Sequence, residues 1–355
     1  LDFEAMKIAI ISHLKYAICE PFSGGLEMHT HLLASFLKAR GHCVTLFAAH
    51  GSDHNTDQVS LCTPTSFNAI TSDGVEHDAY TKLMANLDQE DFDIIHNNSL
   101  HYVPLGQSAS LSIPMVTTLH TPPFESLADA AAKWSSYAHR FVAVSQTLAA
   151  QWAPIASVDH VIPNGIDLSQ FRFQSLPDNT AYWVWHGRIV PEKGLHLAID
   201  AARIAGIHLR FAGPISDPGY FATEIAPRLG AEVSYAGHLT HRDLARLIGG
   251  ARICLCTPRW EEPFGLVIAE ALACGTPVAG FRRGALPELL DPSCGVLIDS
   301  ESPSLLATAG LEGQSLDRGA CRARAEQLWD ASRMIEQYEQ IYQELIDRRM
   351  IRRAA

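Results

Sequence analysis

The segment Arg259-Trp-Glu-Glu-Pro-Phe-Gly-Leu-Val-Ile-Ala-Glu-Ala-Leu-Ala-Cys-Gly-Thr-Pro277 follows a short apolar run, Ile253–Thr257. The run is of strand type, and the polar, proline-bearing loop after it gives way to helical periodicity over Gly265–Ala273. Gly275 ends that helix and Pro277–Gly280 reads as the next strand. Strand, loop, helix and strand in this order make the repeating unit of a parallel sheet covered by helices.

The same rhythm extends in both directions. Downstream, Gly295–Ile298 closes the series. Upstream, Trp183–Gly187, His208–Ala212 and Val233–Ala236 are strands. Gly194–Ala205, Glu224–Leu229 and His241–Gly249 are helices. Before residue 165 the pattern occurs once more. Lys7–Ser12, Cys43–Ala48, Phe92–His96, Met115–His120, Phe141–Ser145 and His160–Pro163 are strands. An amphipathic helix runs from about Glu27 to Ala39, with Gly41 at its C-cap. Asn164–Asp178 carries turn signals and is the expected hinge. The expected domains are therefore 1–168 and 169–330, both doubly wound. A final helix, 331–355, carries a stripe of Ile335, Tyr338, Ile341, Tyr342 and Leu345 and is expected to cross back to the first domain. Residues 51–91 are polar and weakly periodic and give no clear pattern.

Composition excludes several classes. The 355 residues carry 27 basic and 39 acidic side chains, a formal charge of −12. Residues 1–170 hold 7 basic and 17 acidic groups, so that half is a poor surface for nucleic acid or anionic lipid. An anion site belongs in the second half or on backbone amides. No run of 18 apolar residues predicts a transmembrane helix. The first residues have neither a basic nor an apolar leader pattern, and Met6-Lys7 reads as the natural start. Eight scattered cysteines without a CxxC pair suggest a reducing, cytoplasmic setting and no zinc site.

Three constellations bear chemistry. Gly24-Gly25 opens the first helix, where amides and helix dipole favour an anion, although a tight turn alone would also use them. Arg188 and Lys193 flank a turn after a strand. Lys193 is the single lysine among residues 171–355, and the pair reads either as a phosphate clamp or as solvated loop charges. Glu262 lies just before the helix at Gly265, and Glu270 lies eight positions on. Glu270 could accept from a ligand hydroxyl pair, or be an ordinary surface carboxylate. Asp91-Phe-Asp93 has the form of a metal-binding DxD but sits at the amino end of a strand, away from where such sheets bind ligands. His96 and His120, at strand ends, are read as hydroxyl-binding cleft residues rather than metal ligands. The basic tail Arg348–Arg353 reads as a helix C-terminus, with membrane contact the alternative. Phe124, Trp134 and Tyr137 are either ring-stacking or core residues.

The segment 259–277, with its two glutamates, resembles the E-x7-E signature of retaining family 4 glycosyltransferases of the GT-B fold. The resemblance continues in order through Gly24-Gly25-Leu-Glu27, Asp93–His96, Thr118–Thr121, Val142–Ser145, Ile162–Asp167, His186–Gly194, Phe211–Gly213, Tyr235–Gly237 and Gly284–Glu288. It implies two Rossmann-like domains facing across a cleft, with a nucleotide diphosphate-sugar held mainly by the second. By the same resemblance Arg188 and Lys193 hold the diphosphate, Gly24 and Gly25 cap it, and Gly187 is a further donor-binding residue. Glu270 takes the ribose, Glu262 the sugar hydroxyls, and amides at Phe264, Gly265 and Leu266 cradle phosphate or sugar. The base lies near Gly213, Gly237, His238 and Leu239, and His120 near the sugar. His120, Arg188, Lys193 and Glu262 are thus the expected catalytic group.

The expected activity is transfer of a hexose, with retention, from a nucleotide diphosphate-sugar to a hydroxyl acceptor. UDP-glucose or UDP-N-acetylglucosamine is favoured, with no metal or other cofactor and no nucleic-acid partner. The acceptor and the oligomeric state are not legible. Two alternatives remain at this point, a sugar-nucleotide 2-epimerase of the same fold and a non-catalytic nucleotide-sugar-binding module.

Overall fold

The computed structural model describes residues 4–53, 57–66, 72–133 and 139–354, with side chains omitted at 72 and 352–354. Trp134 and Tyr137 lie outside the described residues. The chain forms two compact units. The first comprises the chain up to Gly165 together with Ala331–Ala355, and the second comprises Ile166–Asp330.

The sheet of the first unit contains β1 (Lys7–Ser12), β2 (Cys43–Ala48), β3 (Asp57–Ser60), β4 (Ile94–Asn98), β5 (Met115–Leu119), β6 (His139–Ala143) and β7 (His160–Val161). All pairings are parallel, in the order β3-β2-β1-β4-β5-β6-β7. In β1 every residue after Lys7 is buried. Helices on both faces leave a central strand no solvated side, which explains its unbroken apolar run. Among the described residues of 51–91 are the polar edge strand β3 and the helix Ser72–Leu87. Its buried positions are Glu76, Ala79, Tyr80, Leu83, Met84 and Leu87. A glutamate inside the stripe hides the helical period from the sequence.

The C-terminal helix Ala331–Ala354 belongs to the first unit and runs six residues past Arg348. All five residues of its expected stripe are buried. A polar seam accompanies them. His96 Nε2 lies 2.9 Å from Thr118 Oγ1, whose other neighbour is the Tyr338 hydroxyl at 3.0 Å, and His96 Nδ1 bonds to the Tyr342 hydroxyl. His96 is thus fully buried beneath this helix, which corrects its reading as a cleft residue. A ring at a strand end faces a ligand only if no later segment covers it. Buried Glu339 takes Arg40 Nε at 2.7 Å and His42 Nε2 at 2.8 Å on one oxygen.

The second unit has β8 (Tyr182–His186), β9 (His208–Ala212), β10 (Val233–Tyr235), β11 (Ile253–Cys256), β12 (Val278–Phe281) and β13 (Gly295–Ile298). They are all parallel, in the order β10-β9-β8-β11-β12-β13. Its core gathers Trp183, Trp185, Leu195, Ile199, Phe211, Ile253 and Phe281. The helices Pro303–Gly313 and Arg318–Trp329 are additions to the sequence pattern. Arg318 donates to the carbonyls of Gln174, Ala251 and Gly249 at 2.8, 2.9 and 2.6 Å, joining the chain at Gln174 to the end of the helix His241–Gly249.

Asp93 accepts the Lys7 amide at 2.8 Å and Asp91 pairs with Lys7 Nζ at 2.5 Å, both at the amino end of the first sheet.

Candidate active site

In the second unit three glycines follow adjacent strands. Gly187 after β8 has φ +140°, Gly213 after β9 φ +141° and Gly237 after β10 φ +91°. The Gly187 amide donates to Ala212 O at 3.1 Å and the Gly213 amide to Gly237 O at 3.0 Å. A Cβ on Gly213 would fall 1.9 Å from the Gly187 carbonyl oxygen. The strand ends therefore approach as bare backbone, which keeps this edge open to a flat ligand. Gly213→Ala is expected to lower the melting temperature by roughly 5 °C or more, combining backbone strain with a main-chain clash. Thermal denaturation of the variant checks it, and an unchanged melting temperature would refute it. His238 beyond Gly237 is exposed and Leu239 half-buried.

Arg188 sits half-buried two residues beyond β8. Lys193 ends a short 3-10 turn, Pro191–Lys193, closed by Gly194 at φ +66°. A Cβ on Gly194 would meet Thr257 O at 2.4 Å. Thr257 Oγ1, which receives Trp185 Nε1 at 3.0 Å, donates to Lys193 O at 2.8 Å. Arg259 N–H donates to Glu192 O at 2.8 Å. The turn bearing Lys193 is thus fastened to the carboxyl end of β11, where Glu262 is also carried. Lys193 Nζ lies 2.5 Å from Glu262 Oε2, and Trp260 Nε1 donates to that same oxygen at 2.9 Å. The Trp260 ring centroid is 5.1 Å from the ammonium, within cation–π range. Glu262 is fixed from behind as well, since its carbonyl accepts the Ala285 amide at 2.8 Å.

The helix after Glu262 runs Leu266–Ala273, with Gly265 as N-cap at φ +101° and no capping side chain. Its first amides keep their donors free of a side-chain cap, so the positive end of the helix is available to an anion. The Phe264 side chain is buried and lies edge-on to Trp329, so only its main chain is left for a ligand. Glu270 is in the second turn and only 6% exposed. Its Oε2 is 3.3 Å from His186 Nδ1. Burial pushes the Glu270 carboxyl up to about 8 and pulls the His186 imidazole down to about 4. At neutral pH the pair is therefore an uncharged carboxylic acid beside an uncharged imidazole.

In the first unit Gly24 is the N-cap of the helix Gly25–Ala39, with extended backbone and no capping side chain. Glu27 in its first turn is buried, 2.9 Å from His13 Nε2. His120 follows β5. Asn98 turns its amide nitrogen to Thr30 Oγ1 at 3.4 Å, leaving Oδ1 to accept from His120 Nε2 at 3.0 Å. That places the His120 proton on Nε2 and a lone pair on Nδ1. His29 stands edge-on to His120 at 4.7 Å. Burial, then His29, His96 and His13, hold the His120 pKa well below its ordinary value. His120 is thus a neutral hydrogen-bond acceptor.

Trp260, Thr257 and His186 are the neighbours that sequence reasoning did not single out. Trp260 had a signal, an aromatic one residue past a strand-end arginine, but its partner Glu262 is visible only in space. Among the described residues no three His, Cys, Asp or Glu side chains are placed to hold a metal ion, and no helix is long and apolar enough to cross a membrane.

Two parallel-sheet, Rossmann-like halves of this kind define the GT-B architecture. Residues 23–170 match the model described as Glycosyltransferase Family 4, and residues 168–312 match Glycosyl transferases group 1. The chain belongs to glycosyltransferase family 4. It is 28% identical over 291 residues to D-inositol 3-phosphate glycosyltransferase of Mycobacterium tuberculosis, a match spanning 67% of this chain and 59% of that relative. In structure it resembles sucrose-phosphate synthase from Thermosynechococcus elongatus, with TM-score 0.81 and 20% identity, covering 96% of this chain and 99% of the other. It also resembles HepE of Anabaena, solved with UDP and glucose, with TM-score 0.76 and 20% identity, covering 95% and 99%.

Proposed function

We propose that the chain transfers a hexosyl group from a nucleoside diphosphate-sugar, with retention of anomeric configuration, to a hydroxyl acceptor. The single observation that carries this is the Lys193–Glu262–Trp260 cluster, set beside an uncapped helix N-terminus in the second unit. A cation, a carboxylate and free amides on neighbouring strand ends match what a departing diphosphate and a sugar ring require. UDP-glucose or UDP-N-acetylglucosamine is the favoured donor. HepE, a structural relative, was solved with UDP-glucose.

In the proposed step the acceptor oxygen attacks the anomeric carbon on the face from which the diphosphate leaves. The bond from that carbon to the phosphate oxygen breaks, and the acceptor proton passes to the leaving phosphate. Charge builds on the phosphate oxygens as an oxocarbenium-like centre forms. Lys193, Arg188 and the helix amides supply the opposing charge, fixed in place beforehand. Glu262 is released from Lys193 to accept sugar hydroxyls, and Glu270 accepts from the ribose.

The test is a thermal-shift panel of UDP, GDP, ADP, UDP-glucose and UDP-N-acetylglucosamine, with and without Mg²⁺. UDP at about 1 mM is expected to raise the melting temperature by roughly 3 °C or more without metal, by mass action on the folded state. A larger shift from GDP or ADP would rename the donor base. No shift from any of them would overturn the proposal.

A further inference from the structure

The strand order of the first sheet reverses between β1 and β4. Open parallel sheets receive ligands just beyond the carboxyl ends of strands at such a point. Besides His120 and the Gly24-Gly25 turn, a second group of side chains is built there.

The chain leaving β4 is tightly shaped. Ser99 N–H donates to Asn97 Oδ1 at 3.1 Å and His101 N–H to Ser99 Oγ at 3.2 Å. Leu100 between them takes φ +55°, a left-handed conformation that a residue with a side chain adopts only where its surroundings hold it there. His101 then caps the helix Tyr102–Gln107, its Nδ1 accepting from the Val103 amide at 3.1 Å. As a result the His101 ring is held between two tyrosines. Its centroid lies 4.8 Å from that of Tyr80 and 4.4 Å from that of Tyr102, nearly parallel to the latter at 24°. Tyr80 is fully buried, its hydroxyl donating to Ser12 O at 2.8 Å at the end of β1. Tyr102 is 39% exposed.

The exposed ring has a polar partner at its rim, and charged groups lie near the histidine beneath it. The Tyr102 hydroxyl meets His77 Nδ1 at 2.8 Å. Lys15 Nζ pairs with Glu76 Oε1 at 2.8 Å and lies 3.9 Å from Asp73 Oδ1. His77, Asp73 and Lys15 are all close enough to act on the charge of His101, which burial, the largest influence, lowers to about 4. The local balance is one lysine against two carboxylates with an uncharged imidazole, which disfavours an anion.

A half-exposed aromatic face with a hydroxyl and an imidazole at its edge suits one ligand shape. A pyranose presents polarised C–H bonds on its flat face and hydroxyls around its rim. The C–H face meets the electron-rich face of the ring, and the hydroxyls meet the rim groups. We propose that the outer face of Tyr102, with His77 at its rim, binds the pyranose ring of a neutral sugar, which serves as the acceptor. The acceptor role rests on the glycosyltransferase function proposed above, while the binding of the ring does not.

Saturation-transfer NMR with three probes tests this: methyl α-D-glucopyranoside, methyl α-D-mannopyranoside and methyl β-D-galactopyranoside. Sorbitol, with similar hydroxyls and no ring, is the control. Each is titrated to about 50 mM, a range that resolves millimolar dissociation constants, with and without UDP. At least one pyranoside is expected to bind, with its ring C–H protons saturated most strongly, and sorbitol is not. Tyr102→Ala should weaken that binding about fivefold or more, and Tyr102→Phe should keep it within about twofold, because the π face is retained. If Tyr102→Ala unfolds early, Tyr102→Leu keeps the bulk without the π face and replaces it. Absence of pyranoside binding in both conditions would overturn the proposal, as would equal binding by wild type and Tyr102→Ala. A pyranoside that binds while UDP produces no thermal shift would sink the donor assignment and leave this site standing. The reverse pattern would do the opposite.

Discussion

Lys193→Met is expected to cut the release of UDP from UDP-glucose by about 100- to 1,000-fold, the usual cost of removing one fixed electrostatic partner of a developing negative charge. The melting temperature should stay within about 2 °C, since a partly exposed ion pair contributes little to stability. The pairing of Lys193 with Glu262 at 2.5 Å makes a second consequence testable. A diphosphate must take the ammonium away from the carboxylate before it gains full benefit from it. Glu262→Gln removes that competition. It should bind UDP as tightly as wild type or more tightly, and still turn over UDP-glucose at least about tenfold more slowly, because a sugar hydroxyl loses a charged acceptor. Steady-state turnover and calorimetric UDP binding on the same preparations separate these effects. If Lys193→Met retains full turnover, the phosphate assignment fails.

Glu270→Gln is expected to have opposite effects on stability and on binding. The buried Glu270 carboxyl titrates at about 8, far above an ordinary glutamate. Between roughly pH 4.5, where the unfolded chain ionises, and pH 8 the unfolded state has released a proton that the folded state keeps. Stability therefore falls as pH rises across that window and levels off above it. Even half of the ideal linkage is about 2 kcal/mol, or roughly 4–8 °C for a unit of this size. Glutamine does not titrate. The variant should melt several degrees above wild type at pH 8.5 and close to it at pH 5. At pH 8.5, where the wild-type carboxyl is ionised, UDP affinity should drop about tenfold, as expected where a charged acceptor of the ribose hydroxyls is lost. Melting curves from pH 5 to 9 and calorimetry with UDP read both quantities. A variant that melts below wild type at pH 8.5 would contradict the burial account, and unchanged UDP affinity would contradict the ribose assignment.

Much of the architecture was legible locally. The apolar runs that became β1, β8 and β11 needed no partner to be recognised, because a strand covered on both faces is apolar nearly throughout. Helix starts at Gly25 and Leu266 followed from glycine placement within about two residues. The helices Ser72–Leu87 and Arg318–Trp329 escaped detection for a shared reason. Each buries a charged residue, Glu76 and Arg318 respectively. A buried charge breaks the amphipathic pattern and is tolerable only because a distant partner satisfies it. For Glu76 that partner is Lys15, and for Arg318 it is three backbone carbonyls.

The candidate site divides in the same way. Sequence alone determined which groups stand near which strand ends. Lys193 after β8, Glu262 after β11 and Glu270 in the helix behind it follow from residue order and the right-handed βαβ connection. Tertiary structure alone decided their states. It set Lys193 against Glu262 across 69 residues of chain, buried Glu270 beside His186, and drew the C-terminal helix over His96, 246 residues from its partner Tyr342. The physical reason is that position along a strand is a local property. Protonation and accessibility instead depend on which other surfaces displace water, and those come from parts of the chain that no local pattern connects.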